Sequence, residues 1–420
     1  MGGLSRLTHV RNTHPAPQAA LLGYWFLVMH VSAIFESKKT VNDARYLVLS
    51  DGLVGPCSPD EAQRSWLHGF FGGVYDRNNQ FVDMSITTRG HGLPVIYKND
   101  SVELNGNYEY IDGNCLYCGP IFDHFGHFLL ETTARLWPMV EGRFDRFIFQ
   151  LPGGEKLTLS DYQRYFFSEL GILDKIIVTG NGIRAKKLTI PSQASILLNC
   201  MLPEFTAAFD IIGSRHRDKV GLNKNIYISR SKIDIGRVVG EELLESAFAI
   251  SGFDVIHPQE LSPREQIEVF SCAEHLVGFQ GSGLHNVLFA RDGVKCTMFV
   301  RDSLQLDTYN NIDKVRRVNS AHIFDVLYEE SFKPFPDRGP FCIDLEKTKA
   351  ALNDVGLRDV AEILRAVSQR DLLDHYAAEW TYTAVSLMRH DEMTAAATFE
   401  QARHVVLHSR TLLLNSLIGR

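Results

Sequence analysis

The sequence predicts an α/β protein organised around a wound parallel sheet. Between residues 225 and 300, short apolar runs alternate with amphipathic stretches in repeated strand, helix, strand units, a pattern that implies right-handed crossovers. The helical stretches there carry their own start and stop signals. At 420 residues the chain also exceeds what one hydrophobic core usually organises, so two domains and an appendage are expected.

Residues 40–122 read as short strands separated by turn residues: "RYLVLSDG", "GGVYDRNNQFVDMSI" and "LPVIYKND". From residue 123 the pattern changes to a helix, "DHFGHFLLETTARLWPMV", then a strand "RFIFQLP", a helix near 160–170, and strands "KIIVTG" and "KKLTIP". Further on, "NIYIS", "FDVIHP", "HLVGF" and "KCTMFV" are strands. The helix "GEELLESAFAISG" ends at Gly252, and "LSPREQIEVFSCA" opens with Ser262 as N-cap, Pro263 at the first helical position and Glu265 closing a capping box. A helix is expected from about Leu284. Beyond residue 344 the sequence turns helical to its end. The boundaries that follow are 1–215 for a strand-rich first domain, 216–343 for a second and 344–420 for a helical extension suited to bracing the domains, binding a partner or forming a homo-oligomer.

Composition excludes several classes. Hydrophobic residues make up 45%, so most of the chain is expected to fold, and a formal charge of -7 without single-sign runs gives no nucleic-acid footprint. Seven widely spaced cysteines suit a reducing, cytoplasmic setting. Cys115 and Cys118 form a CxxC with no second pair at zinc spacing, so they read as packed thiols and no metal site is expected. The apolar segment 19–35 is short for a membrane span and contains His30. It reads as a buried element of the first domain, with a cleaved signal, an anchor or peripheral membrane association as the alternatives. Asn99 begins a glycosylation triplet of the kind chance supplies.

The chemistry concentrates in three stretches. In "VGFQGSGLHNVLFA" a strand stops at Gln280, Gly281, Ser282 and Gly283 before a helix begins, with Leu284 and Asn286 in its first turn. Helix-start N–H groups favour phosphate, and glycines admit it closely. In "NIYISRSKIDIGR" Ser229, Arg230 and Lys232 follow another strand of the same sheet, with Arg237 before the next helix. Guanidinium groups suit diphosphate oxygens. Helical spacing in "DHFGHFLLETTARLW" sets His124, His127, Glu131 and Arg135 along one stripe. There Glu131 would orient His127 as a general base, with Asp123 as a rival base at the helix start. Each feature alone has a plainer reading: a tight turn, a solvated basic loop, or a surface ion pair. No Asp-x-Asp occurs in the chain, so neutralisation of a phosphate should fall to protein donors.

Taken in order, these stretches resemble the glycosyltransferase family 61 enzymes, which include capsular polysaccharide biosynthesis proteins and eukaryotic xylosyl- and N-acetylglucosaminyltransferases. The likeness covers residues 40–300 and is tightest over 226–299. "HFGHFLLETTARL" is similar to the family's "NYxHWLLExLPRL"-like helix through His127, Leu129, Leu130, Glu131, Arg135 and Leu136. "IYISR", Arg237 with the Glu241, Glu242, Leu243 helix start, and "GSGLHNVLFA" follow at matching separations. The resemblance implies a GT-B-like fold of two Rossmann-like domains facing across a cleft. It implies inverting, metal-independent transfer, without a cofactor, from a nucleotide sugar, UDP-linked by expectation, to a glycan or glycoconjugate. Gln280 stands where the family has His, and Met298 where it commonly has Glu. A catalytically lapsed nucleotide- or glycan-binding partner is the alternative. A dinucleotide oxidoreductase is disfavoured by the missing G-x-G-x-x-G turn.

Overall fold

The computed structural model describes residues 43–59, 69–90, 94–98, 106–151, 158–217, 224–233, 236–303, 305–328, 341–370, 372, 373 and 376. The segment 19–35, Asn99 and the part of the expected helical extension beyond residue 376 lie outside the described residues. The described residues belong to one compact unit of mixed α/β structure. Among the described residues no helix is long and apolar enough to cross a membrane.

The first sheet contains β1 (Tyr46–Val54), β2 (Val74–Tyr75), β3 (Glu109–Pro120), β4 (Arg146–Gln150), β5 (Ile176–Thr179) and β6 (Ile183–Pro191), in the order β2-β1-β6-β3-β4-β5. From β6 to β5 the pairings are parallel, whereas β1 is antiparallel to both its neighbours. The "GNCLYCGP" stretch belongs to β3, the long strand within this sheet, and its register slips between Tyr117 and Gly119, where Gly119 takes a φ of 78°. Cys115 and Cys118 are both fully buried and lie in different cores on the two sides of the sheet. Burial pushes the Cys115 thiol up to about 11 and raises Cys118 well above its ordinary value, so both are packed thiols.

The second sheet contains β7 (Asn225–Ile228), β8 (Asp254–Ile256), β9 (His275–Phe279), β10 (Lys295–Phe299) and β11 (Asn319–Ile323), all parallel, in the order β8-β7-β9-β10-β11. Strand β9 is buried along its whole length, as expected of an apolar run covered on both faces. The direction of winding reverses between β7 and β9. Ligands of doubly wound sheets collect outside the carboxyl ends of the strands at such a switch point.

The helices are α1 (Phe125–Leu130), α2 (Asp161–Glu169), α3 (Ala207–His216), α4 (Glu241–Ile250), α5 (Pro263–Cys272), α6 (Leu306–Arg316), α7 (Leu345–Asp354) and α8 (Arg358–Ile363). The Ser262–Glu265 capping box forms as the sequence predicts, and Gly252 follows α4 at a φ of 87°. Two expectations are corrected. Residues 123–140 do not make one helix: α1 ends at Leu130, and short 3-10 turns follow over Thr132–Arg135 and Trp137–Val140. Pro138 cannot donate in a continued helix, Thr133 bonds back to the Leu129 carbonyl (2.6 Å), and the Ala134 carbonyl is taken by Ala194 N–H (2.9 Å). Likewise the helix after Gly281 is a 3-10 helix, Ser282–Phe289, beginning at Ser282 instead of Leu284. Strand β11 and helices α3 and α6 are absent from the sequence reading.

One core joins the two sheets. It contains Leu116, Phe147 and Phe149 of the first and Ile226, Leu276 and Met298 of the second. Aromatic contacts run through it from Phe149 to Phe167 (5.6 Å), Phe128 (5.5 Å) and Phe166 (5.3 Å), then to Phe209 (5.8 Å) and Phe289 (5.2 Å). Gly213 of α3 meets the Phe289 carbonyl so closely that an added Cβ would sit 2.5 Å from the oxygen. The opposite face of the second sheet is covered by α4, α7 and α8 through Phe248, Leu345, Leu352 and Val360. Replacing Phe166, which lies at the middle of the aromatic run, by Ala should cost about 3–5 kcal/mol in denaturant unfolding, because the surrounding rings cannot collapse into the gap.

Candidate active site

Two strand ends at the switch point build the first half of the site. After β7, Ser229 is buried, its hydroxyl bonded to Glu245 and accepting from Ser231 N–H at 3.0 Å, which closes a tight turn. Arg230 follows, its main-chain N–H held by Glu241 Oε1 at 2.8 Å. After β9, Gln280 donates its N–H to the Phe299 carbonyl (2.9 Å), and the chain opens through Gly281 into the 3-10 helix. The guanidinium of Arg230 lies directly on Gly281: an added Cβ there would clash with Nη1 and stand 2.9 Å from Cζ. Gly281 is in extended backbone, φ 168°, so its smallness is demanded by the arginine and not by strain.

These elements enclose a pocket of ≈ 250 Å³ whose walls include Ser229, Arg230, Gly281, Ser282, Gly283 and Leu284, together with Phe125, Pro258 and Gln266. By position, the first N–H groups of the 3-10 helix have no partner within it. The remaining donor-side candidates stand elsewhere. Lys232 is half-exposed in an ion pair with Glu260 (2.8 Å), and Arg237 pairs with Glu242 (3.3 Å) outside the pocket walls. Asn286 is fully buried and pins the loop, accepting from Tyr162 (3.1 Å) and donating to the Gly283 carbonyl (3.1 Å). Gln280 is also buried, its Oε1 accepting from the main chains of Arg301 (2.8 Å) and Asp302 (2.9 Å).

Helix α1 supplies the second half. Its Gly126 packs on the 281–283 turn, where an added Cβ would stand 3.0 Å from Ser282 Cβ and 3.3 Å from the His285 ring, and Phe125 enters the pocket wall. Next in the helix, His127 bonds through Nδ1 to the Glu131 carboxylate one turn on, leaving Nε2 for a substrate. The break after Leu130 settles the stripe differently from the helical spacing. Arg135 turns inward, fully buried over the Tyr117 ring, and donates to the carbonyls of Met84 (2.9 Å), Ile86 (2.7 Å) and Pro191. Glu131 instead receives Arg89 in a two-pronged pair, Nε to Oε1 at 2.7 Å and Nη2 to Oε2 at 3.0 Å. Asp123 and His124 are exposed at the helix start.

With this geometry in place, the comparisons are informative. The family model described as Glycosyltransferase 61 matches residues 125–298, which run from α1 through the switch-point loops into β10. The protein is a glycosyltransferase, similar over this stretch to family 61. Among solved structures, an iron-containing dodecameric glycosyltransferase, TibC from enterotoxigenic E. coli H10407, matches 63% of this chain and 79% of that chain at 9% identity. Its TM-score of 0.25 is too low to carry fold or assembly across. No curated protein matches the chain.

In this glycosyltransferase the local electrostatics divide the two halves. Burial alone would raise the Glu131 carboxyl, but the His127 hydrogen bond and the Arg89 charge together hold it below its ordinary 4.5. On the donor side, burial lifts Glu241 to about 8 despite the Arg230 N–H, and it lowers Arg230. His285, buried behind the turn and near His127 and His124, is brought down to about 3 and stays neutral. Met298 points into the shared core, so an apolar residue fits its place.

Two residues escaped the sequence reading. Arg89 reaches Glu131 from 42 positions away, and no local pattern announces that pairing. Arg301 follows β10 as Arg230 follows β7, and strand-end position is the signal that marks it.

The protein should tolerate Gly281→Ala with little loss of stability, since only the far end of the Arg230 side chain must move. Its affinity for a nucleoside diphosphate should nevertheless fall about tenfold, as read by calorimetric titration. Glu131 gives an acid-limb prediction. Because its folded value is depressed, its stabilisation is complete above the unfolded value of 4.5 and disappears as pH falls through the lower folded one. Glu131→Gln should therefore flatten the decline in unfolding free energy below pH 4.5, while costing about 3–5 kcal/mol at pH 7 because Arg89 is left buried without its carboxylate.

Proposed function

We propose that the protein is an inverting glycosyltransferase that moves a sugar from a nucleoside diphosphate sugar, with UDP as the expected nucleotide, to a hydroxyl of a glycan or glycoconjugate. The observation that carries this reading is the convergence of Arg230 and the 281–283 turn on one pocket at the switch point, with the His127 helix packed against that turn. The second sheet would hold the donor and the first sheet most of the acceptor, in a GT-B-like division of labour.

In the reaction, Nε2 of His127 takes the proton of the acceptor hydroxyl while its oxygen attacks the anomeric carbon. The bond from that carbon to the diphosphate oxygen breaks on the opposite face, and its electron pair leaves with the diphosphate. Attack and departure on opposite faces invert the anomeric centre. Glu131 holds the ring in the tautomer that leaves Nε2 unprotonated and stabilises the imidazolium that forms. Arg230 and the helix-start N–H groups receive the growing charge on the phosphate, a task that Mg²⁺ or Mn²⁺ performs in enzymes with an acidic pair. Asp123, exposed beside the helix start, is the less favoured base because nothing among its described contacts orients it.

UDP at about 100 times its dissociation constant should stabilise the protein by about 2.7 kcal/mol in thermal unfolding, equally with and without a chelator. His127→Ala should lower kcat by about 10²–10⁴-fold with donor binding retained, whereas Arg230→Met should mainly weaken the donor. A chelator that abolishes the UDP shift, or a His127→Ala enzyme at full turnover, contradicts the reading.

A further inference from the structure

Arg301 is a buried guanidinium that this mechanism does not use. It leaves the carboxyl end of β10 at 7% exposure, donates from Nε to the Gln280 carbonyl (2.6 Å) and from Nη1 to the Gly236 carbonyl (3.2 Å), and lies over the Phe341 ring at 5.0 Å. It also meets Arg230. An added Cβ on Gly236 would stand 2.5 Å from Arg301 Nη1 and 3.0 Å from Arg230 Nη2, so the two cations crowd one face of that residue directly behind the pocket. Around them, the Gln280 Nε2 is buried without a hydrogen-bond partner among the described residues, and the Tyr309 hydroxyl faces the Gly281 N–H. Burial lifts Glu241, the acid beside Arg230, to about 8, and Asp302 also faces Arg301.

Two like charges brought together out of water repel, and their repulsion is relieved by an anion carrying more than one negative charge. We propose that Arg301 is a positioning residue that makes this donor site select diphosphate over monophosphate, by fixing the Gln280–Gly281 turn and adding its charge behind Arg230. The inference rests on the nucleotide-sugar reading above and extends it to the phosphate count of the leaving group. Arg301 touches the ligand only through Arg230 and the turn.

The test is calorimetric titration of the full chain with inorganic pyrophosphate and with inorganic phosphate at fixed salt. Wild type should bind pyrophosphate at least about tenfold more tightly than phosphate. Arg301→Gln, which can still donate to the Gln280 carbonyl but carries no charge, should lose most of that preference. Arg301→Lys should keep most of it. A brace without an electrostatic role predicts the reverse order for Gln and Lys or the wild-type ratio in both, and either result overturns the proposal. Equal binding of the two anions by wild type also overturns it, with no variant needed. If wild type binds neither anion, the nucleotide-sugar reading falls as well. Preference retained in Arg301→Gln but lost in Arg230→Met removes Arg301 alone.

Discussion

The structure turns on one contact, the seat of the Arg230 guanidinium on the bare backbone of Gly281. Strands β7 and β9 are neighbours, and the sheet reverses its winding between them, so the loops that leave them diverge and open a pocket. A cation at the end of one strand and uncapped N–H groups at the end of the next can then act on the same anion. Each supporting interaction keeps that arrangement in place. Glu241 ties the Arg230 main chain, Gln280 is clamped by Arg301 and Asp302, and Asn286 fastens the far side of the turn.

A second constraint places the chemistry beside that anion site. The aromatic run from Phe149 to Phe289 fuses the sheets through one core, and Gly126 lets α1 press on the 281–283 turn without a side chain between them. The break after Leu130 matters for the same reason. A continued helix would have carried Arg135 along the His127 face. With the break, Arg135 becomes an internal strut, and Arg89 arrives from another element to fix Glu131.

What the sequence revealed and what it hid follow from the range of the forces involved. Strands β7 to β10 and helix α5 were readable because their signals are local: apolar runs, a capping box, a proline at the first helical position. The switch-point loops were readable as candidates for the same reason. Lys232, Arg237 and Asn286 matched the chemistry wanted of a phosphate contact, and the structure pairs them with Glu260, Glu242 and Tyr162, partners that no local pattern announces. Polar strand β11, at the sheet edge, owes its pairing to β10 and not to its own composition. The Arg89–Glu131 pair and the meeting of Arg230 with Arg301 are products of tertiary packing, which no spacing along the chain records.

A crystal structure of the protein grown with UDP and a chelator tests the central claim most directly. The account predicts the diphosphate in the ≈ 250 Å³ pocket, within hydrogen-bonding distance of Arg230 and of the main chain over 281–283, with the sugar end directed toward His127. A nucleotide whose phosphates lie away from both, with Arg230 still folded onto Gly281, would contradict it.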